Sequence, residues 1–248
     1  MRFRYLTAIA LACALTAGCG GDESTTPVSA KELCFSPDSS VIGWKTDLRY
    51  VTENGLTPSR LRQEVRAPGA GELRFLFPGV PGVSDIDPSL RMRVERYLFP
   101  NSYRSTLERV EEDRVITLAE HLSYKTYTEE NTYEPGKRDF RLELSDGVIG
   151  NAATQQYRVS SAAGWSVFTI DLEETTKFLG IQSIETPAGV FSACGFESTT
   201  TNLNLDGPTV PETTVEWIYR GVVVKTQWNS GRSSELLTSG QVNDLPIK

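Results

Sequence analysis

Four cysteines, one histidine and several short acidic runs are the side chains of this 248-residue chain that could carry chemistry. With a single histidine, multi-histidine metal sites are excluded, and a nucleophilic triad could use only His121, in Ala119-Glu120-His121-Leu122-Ser123. No Gly-x-Ser-x-Gly elbow accompanies it, so His121 reads as a partly exposed strand residue. Glycoside hydrolysis needs two carboxylates held at a set separation. The runs Glu111-Glu112-Asp113, Glu129-Glu130 and Glu173-Glu174 place neighbours on opposite faces of a strand and read as solvated edges and loops. Asp85-Ile86-Asp87 could offer oxygens to calcium. It lacks the glycine and distal glutamate of a helical calcium loop, so a plain turn before Pro88 is expected. Phosphate-cradling and dinucleotide fingerprints are missing. No catalytic, cofactor-binding or metal-ligating residue is therefore nominated, and the chain reads as a non-enzyme without a cofactor. A net charge of −7 and a pI near 5.0 argue against a general nucleic-acid binder, which needs a basic face.

The cysteines separate by position. Arg2 and Arg4 precede an apolar run from Leu6 to Leu15, interrupted only by Thr7, and Ala17-Gly18 follow just before Cys19. This is the layout of a secretory signal over residues 1–18, and the run is too short to span a bilayer, which takes about 20 residues. Leu15-Thr16-Ala17-Gly18-Cys19 resembles a bacterial lipobox, although lipoboxes usually carry leucine where Thr16 stands. The resemblance implies cleavage before Cys19, acylation (palmitate among the chains) of its thiol and of the new amine, and loss of Arg2 and Arg4, which deepens the net charge from −7 to −9. An ordinary secretory signal is the alternative. Cys13 lies inside the apolar run, where it would leave too short a signal. Gly20 follows Cys19 where an inner-membrane retention signal would carry aspartate. The resemblance therefore implies the inner leaflet of the outer membrane, facing the periplasm, with the membrane reached through the N-terminal lipid. Residues 19–33 begin with small and polar groups, Gly20 to Ala30, and read as a flexible tether.

Cys34 and Cys194 remain, in a compartment that oxidises thiols. A bridge between them closes a loop of 160 positions, worth about 4 to 5 kcal/mol in the loop-entropy account; two buried free thiols, or one reactive thiol, are the alternatives.

The elements that must position these groups are strands. Ile42, Trp44, Leu48 and Tyr50 share one face of an extended run, and Leu90-Met92-Val94 alternate with Arg91, Arg93 and Glu95. Extended runs are also expected at Leu73-Phe75-Phe77, 114–119, 122–128, Phe140-Leu142-Leu144, Tyr157-Val159, 165–172, 181–185, 190–198, Val215-Trp217-Tyr219 and 222–228, with turns at Asn54-Gly55, Pro78-Gly79 and Pro81-Gly82. Two segments fit either a helix or a strand: 57–66, and the stretch where Ser105 and Glu108 make a capping-box pattern. The expected fold is all-β: one antiparallel domain over residues 34–248, a curved half-barrel or sandwich, with few or no helices beyond the signal peptide.

Thr186-Pro187-Ala188-Gly189-Val190-Phe191 reads as a strand, a tight turn and a second strand, and Trp217-Ile218-Tyr219 then leads through Arg220-Gly221 to Val222-Val223-Val224-Lys225. Together these resemble a group of uncharacterised β-rich bacterial cell-envelope lipoproteins with a Thr-Pro-Ala-Gly-x-Phe hairpin, over about fifty residues. Gly221-Val222-Val223 departs from the Gly-Val-Gly frequent in that group. The resemblance implies a curved antiparallel sheet and transfers no catalytic residue. The functional expectation is a tethered, non-enzymatic envelope protein that binds a partner protein, or an apolar ligand on an aromatic groove. A carboxylate hydrolase acting on envelope glycans is the alternative. Mass spectrometry of protein purified from membranes should find mature chains beginning at an acylated Cys19, and Cys19→Ser should leave the membrane fraction or stay unprocessed; an unmodified start elsewhere contradicts the anchor.

Overall fold

A computed structural model describes residues 29–52, 58–80, 87–97, 102–112, 114–204, 210–229 and 234–247. The signal segment, Cys19, Asn54-Gly55, Pro81-Gly82 and Asp85-Ile86 lie outside the described residues. Twelve antiparallel strands follow one another in chain order: β1 (Lys45–Thr52), β2 (Pro58–Arg66), β3 (Leu90–Tyr97), β4 (Ser102–Glu111), β5 (Arg114–Ser123), β6 (Thr128–Asp139), β7 (Ala152–Ala163), β8 (Ser166–Thr186), β9 (Gly189–Asn202), β10 (Glu212–Tyr219), β11 (Val222–Trp228) and β12 (Glu235–Val242). β12 also pairs with β1, from Thr46↔Val242 to Thr52↔Glu235, so the sheet closes into an up-and-down barrel. The all-β, antiparallel expectation holds, but the sheet is a complete barrel rather than a half-barrel or sandwich. A two-residue β13 (Leu245–Pro246) folds back antiparallel on the end of β12.

Closure is uneven. Among the described residues β11 and β12 share only the pairs Lys225↔Leu236 and Thr226↔Glu235. Beyond them the strands part, and apolar side chains fill the seam: Leu48, Tyr50, Phe191, Ala193, Trp217, Val222, Val224 and Leu237 form one buried cluster. Backbone groups left without a ladder partner still need hydrogen bonds. The Tyr50 hydroxyl donates to the Val223 carbonyl at 2.9 Å, and the Ala188 N–H donates to the Leu237 carbonyl at 3.2 Å. Ala188 belongs to the Pro187-Ala188 turn of the long β8–β9 hairpin, which thereby seals the barrel wall. The kink that lets β8 reach the seam lies at a register shift beside Gly180, whose φ of +88° would strain any side chain.

Residues 29–33, expected in the tether, instead begin the fold. Ser29 and Glu32 form a reciprocal capping box on α1 (Ala30–Cys34), which blocks the barrel end beside the β10–β11 turn. Cys34 is bonded to Cys194 of β9, with Cα atoms 5.6 Å apart, inside a cluster with Phe178, Phe196 and Ile218. Arg220 and Gly221 donate backbone hydrogen bonds to the carbonyls of Leu33 and Cys34. Both turn residues have positive φ, as a two-residue hairpin requires, and a Cβ on Gly221 would meet that of Ser39 at 2.9 Å.

Two expected strands are helical. Residues 73–77 fit both periods, but α2 (Ala70–Leu76) buries Leu73, Leu76 and Phe77 at helical spacing and leaves Phe75, which a strand would have turned inward, exposed. α2 lies on the outer face of the sheet over Leu90, Met92, Leu107 and Ala119. Phe140-Leu142-Leu144 is not a strand either; α3 (Arg141–Leu144) makes one helical turn there. The two ambiguous segments both resolve as strands, β2 and β4. Residues 122–128 end β5 and turn at 124–127.

Candidate lumen site

Inside the barrel is a cavity of about 840 Å³. Its walls are polar. Five basic and eight acidic side chains line it, so the excess is acidic. The apolar faces that alternation marked as core lie partly on the outside: Met92 and Leu107 sit beneath α2, while Arg93, Glu95 and Glu108 face the lumen. The expected apolar groove is therefore not what the barrel encloses.

Most lumen charges are paired, which is what makes their burial tolerable. On the β2–β4 wall, Gln63 Nε2 donates to Glu95 Oε1 at 2.6 Å and the Tyr97 hydroxyl donates to Glu95 Oε2 at 3.0 Å. Arg104 approaches the same carboxylate at 3.7 Å, and its buried Nε has no hydrogen-bond partner among the described residues. Arg93 donates to Glu108 at 2.9 Å and to the Ser39 carbonyl at 3.3 Å, linking the wall to the segment that closes the barrel. Further round, the Tyr133 hydroxyl donates to Glu120 at 2.9 Å, and Glu174 accepts from both the Tyr157 hydroxyl at 3.0 Å and Lys137 at 2.8 Å. Burial and the adjoining carboxylates push the Tyr97, Tyr133 and Tyr157 phenols well above their ordinary pKa, so they remain donors. Arg141 bridges the lumen: Nη2 donates to Asp139 at 2.7 Å and Nη1 to Glu216 at 2.6 Å. Burial alone would raise the Asp139 pKa, but the charge and hydrogen bonds of Arg141 outweigh it and hold the carboxyl below its ordinary value.

Strand register aligns Glu216, Thr226, Glu235 and Thr52 in one row across β10, β11, β12 and β1. Glu216 has Arg141 as its partner. Glu235 has no ion pair among the described residues, and burial raises its pKa. The Oγ1 of Thr52 is buried and unpartnered. Two strand spacings separate the carboxylate-bearing backbones, about 10 Å. Of this row Glu216, Thr226 and Glu235 line the cavity, and Glu235 faces it without an ion-pair partner among the described residues. Among the described residues no group of three or more His, Cys, Asp or Glu is placed to hold a metal ion.

Sequence reasoning missed these lumen residues because it took the charged face of each strand for the solvent face. Glu174, read as part of a solvated run, is 7% exposed; its neighbour Glu173 faces outward to Gln156, so the alternation within the run was right. Asp87 accepts from the backbone and hydroxyl of Ser89, across Pro88.

No protein-family model matches the chain, and no curated protein does. Its fold overlaps loosely with three solved structures. A lipoprotein candidate from Parabacteroides distasonis ATCC 8503 is 12% identical with a TM-score of 0.37, over 84% of this chain and 99% of that one. A candidate exported protein with a YmcC-like fold from Bacteroides fragilis NCTC 9343 is 10% identical with a TM-score of 0.39, over 87% and 99%. The hypothetical lipoprotein YmcC from Escherichia coli K12 is 12% identical with a TM-score of 0.37, over 86% and 88%. Overlaps this loose say nothing of what this chain does.

His121 is on a strand as expected but is buried, at 5% exposure, on the outer side of β5. It stacks on Tyr103, with ring centroids 6.0 Å apart, and its Nδ1 lies 3.7 Å from Glu130 Oε1 without a hydrogen bond. Burial lowers its pKa from 6.5, and Glu130 only partly opposes this. The unfolded chain therefore takes up this proton first, so the contribution is intact above about pH 6.5 and is lost as pH falls below it. Urea midpoints measured between about pH 7 and 5 should fall less steeply in His121→Phe than in the natural protein; parallel curves would contradict this assignment.

Proposed function

We propose that this protein is a lipid-anchored, non-enzymatic envelope protein, held on the inner leaflet of the outer membrane and facing the periplasm, whose barrel is a cup for a polar solute. The lipobox-like segment ending at Cys19 supports the anchor. The observation that carries the binding reading is the row containing Glu235: a half-buried carboxylate without an ion-pair partner among the described residues, beside a paired Glu216, in a cavity of about 840 Å³. A cavity of this size suits a small ligand. Its acidic excess and many hydroxyls favour a ligand bearing amino or hydroxyl groups over an apolar one. The strands' outer faces also carry charge: Asp47 pairs with Arg60 and Arg62, and Lys45 with Glu64. A barrel that spans a membrane needs an apolar outer band, so these faces suit water.

The same row favours a second reading. Two carboxylates on one wall of a wet cavity, their backbones about 10 Å apart and one with a pKa raised by burial, can approach the spacing of inverting glycoside hydrolysis. Native mass spectrometry of protein purified gently from membranes separates the readings. The binding reading expects a non-covalent polar adduct, with occupancy cut about tenfold in Glu235→Gln. If no adduct appears and the protein instead hydrolyses envelope glycans, with activity lost in Glu235→Gln, the hydrolase reading replaces it.

A further inference from the structure

The β7–β8 hairpin rises past β9 at the barrel end opposite α1, while β6 runs beside it as far as the pair Glu129↔Ala163. Residues 159–170 contain no Asp, Glu, Lys, Arg or His, in a chain that is 23% charged. At its tip Trp165 is fully exposed; Val167 is 76% exposed and Phe168, on the other face, 46%. The base is marked by the cross-strand pair Arg158–Asp171 at 2.8 Å, with Asn204 also bound to Asp171. Above this collar the hairpin itself is uncharged; beside it β6 carries Glu129, bonded to Ser161, and Glu130, and only Gly164 and Trp165 at the apex clear them. Five residues separate collar from turn, about 17 Å of strand. The adjacent β5–β6 turn adds stacked Tyr124 and Tyr127, ring centroids 4.5 Å apart, and an exposed Lys125.

From this arrangement the geometry points to a second membrane contact: the hairpin tip, centred on Trp165, inserts into the bilayer interface that carries the N-terminal lipid. Trp165 at the apex, with the exposed Val167 and Phe168 next to it, can leave water together in a fluid interface. Tryptophan and tyrosine with flanking lysine match the chemistry of the headgroup region, and interfacial elements bury about 5 to 10 Å, less than the length above the collar. The tether permits the approach. Cys19 and Ser29 are separated by residues that span at most about 35 Å, shorter than the stretch of β8 between the level of α1 and the tip, so the barrel lies tilted along the surface with the tip dipping into it.

The inference goes beyond solute binding and draws only on the anchor. The acylated full chain, reconstituted into phosphatidylethanolamine–phosphatidylglycerol vesicles with and without brominated acyl chains, tests it by tryptophan emission. Bromolipid should quench a component of the natural protein's emission that is lost in Trp165→Ser. Phe168→Asp, at an exposed position, should abolish that quenching while leaving the protein folded. Protein that stays on the vesicles with Trp165 unquenched overturns the inference and leaves the tip to water, a partner protein or a second copy. Protein that does not associate with vesicles at all identifies a failure of the anchor instead.

Discussion

A ring of twelve strands encloses more space than its own side chains can fill, and the rest of the structure answers to that width. Eight strands bring opposite walls close enough to pack. Twelve leave a volume that must be plugged, wetted or both. At one end α1 and the segment after it close the barrel, with Phe35 against Phe196 and the Cys34–Cys194 bond fixing them to β9. Above that plug the walls carry carboxylates, guanidiniums and phenols in mutual hydrogen bonds, an arrangement suited to water and poorly suited to a dry core.

The same width explains the seam. Among the described residues β11 and β12 meet over two pairs and then diverge, and a gap in a closed sheet would expose backbone groups. The β8–β9 hairpin lies across it. Its turn supplies an N–H to Leu237, Tyr50 supplies a hydroxyl to Val223, and Trp217, whose indole donates to Gln182 at 2.8 Å, packs the space between. The stretch around Thr186-Pro187-Ala188-Gly189 is thus a structural closure.

Strand content, the antiparallel arrangement, the Arg220-Gly221 turn and the partnership of Cys34 with Cys194 were legible in the sequence, because alternation, turn chemistry and cysteine count report local constraints. What failed was the assignment of faces. Leu90-Met92-Val94 looked like a core-facing set and Arg91, Arg93 and Glu95 like a solvent face. In a wide barrel the second face can be the interior, while an added helix covers the first. α2 itself was hidden because Leu73, Phe75, Leu76 and Phe77 satisfy periods of two and of 3.6 alike. The row of Glu216 and Glu235 depends on register between strands distant in sequence, which no local pattern reports.

The account therefore stands on a lumen that is open to water and to small polar molecules while the plug end stays shut. Thr214 lines that lumen from β10, and the described native cysteines are bonded to each other, so Thr214→Cys supplies a thiol that reports access. In the folded protein this thiol should react with a small charged thiol reagent at a rate approaching that of the denatured chain, and should be shielded from a maleimide carried on a large polymer. A thiol that stays unreactive to the small reagent until the protein is denatured would show a packed interior and contradict the account.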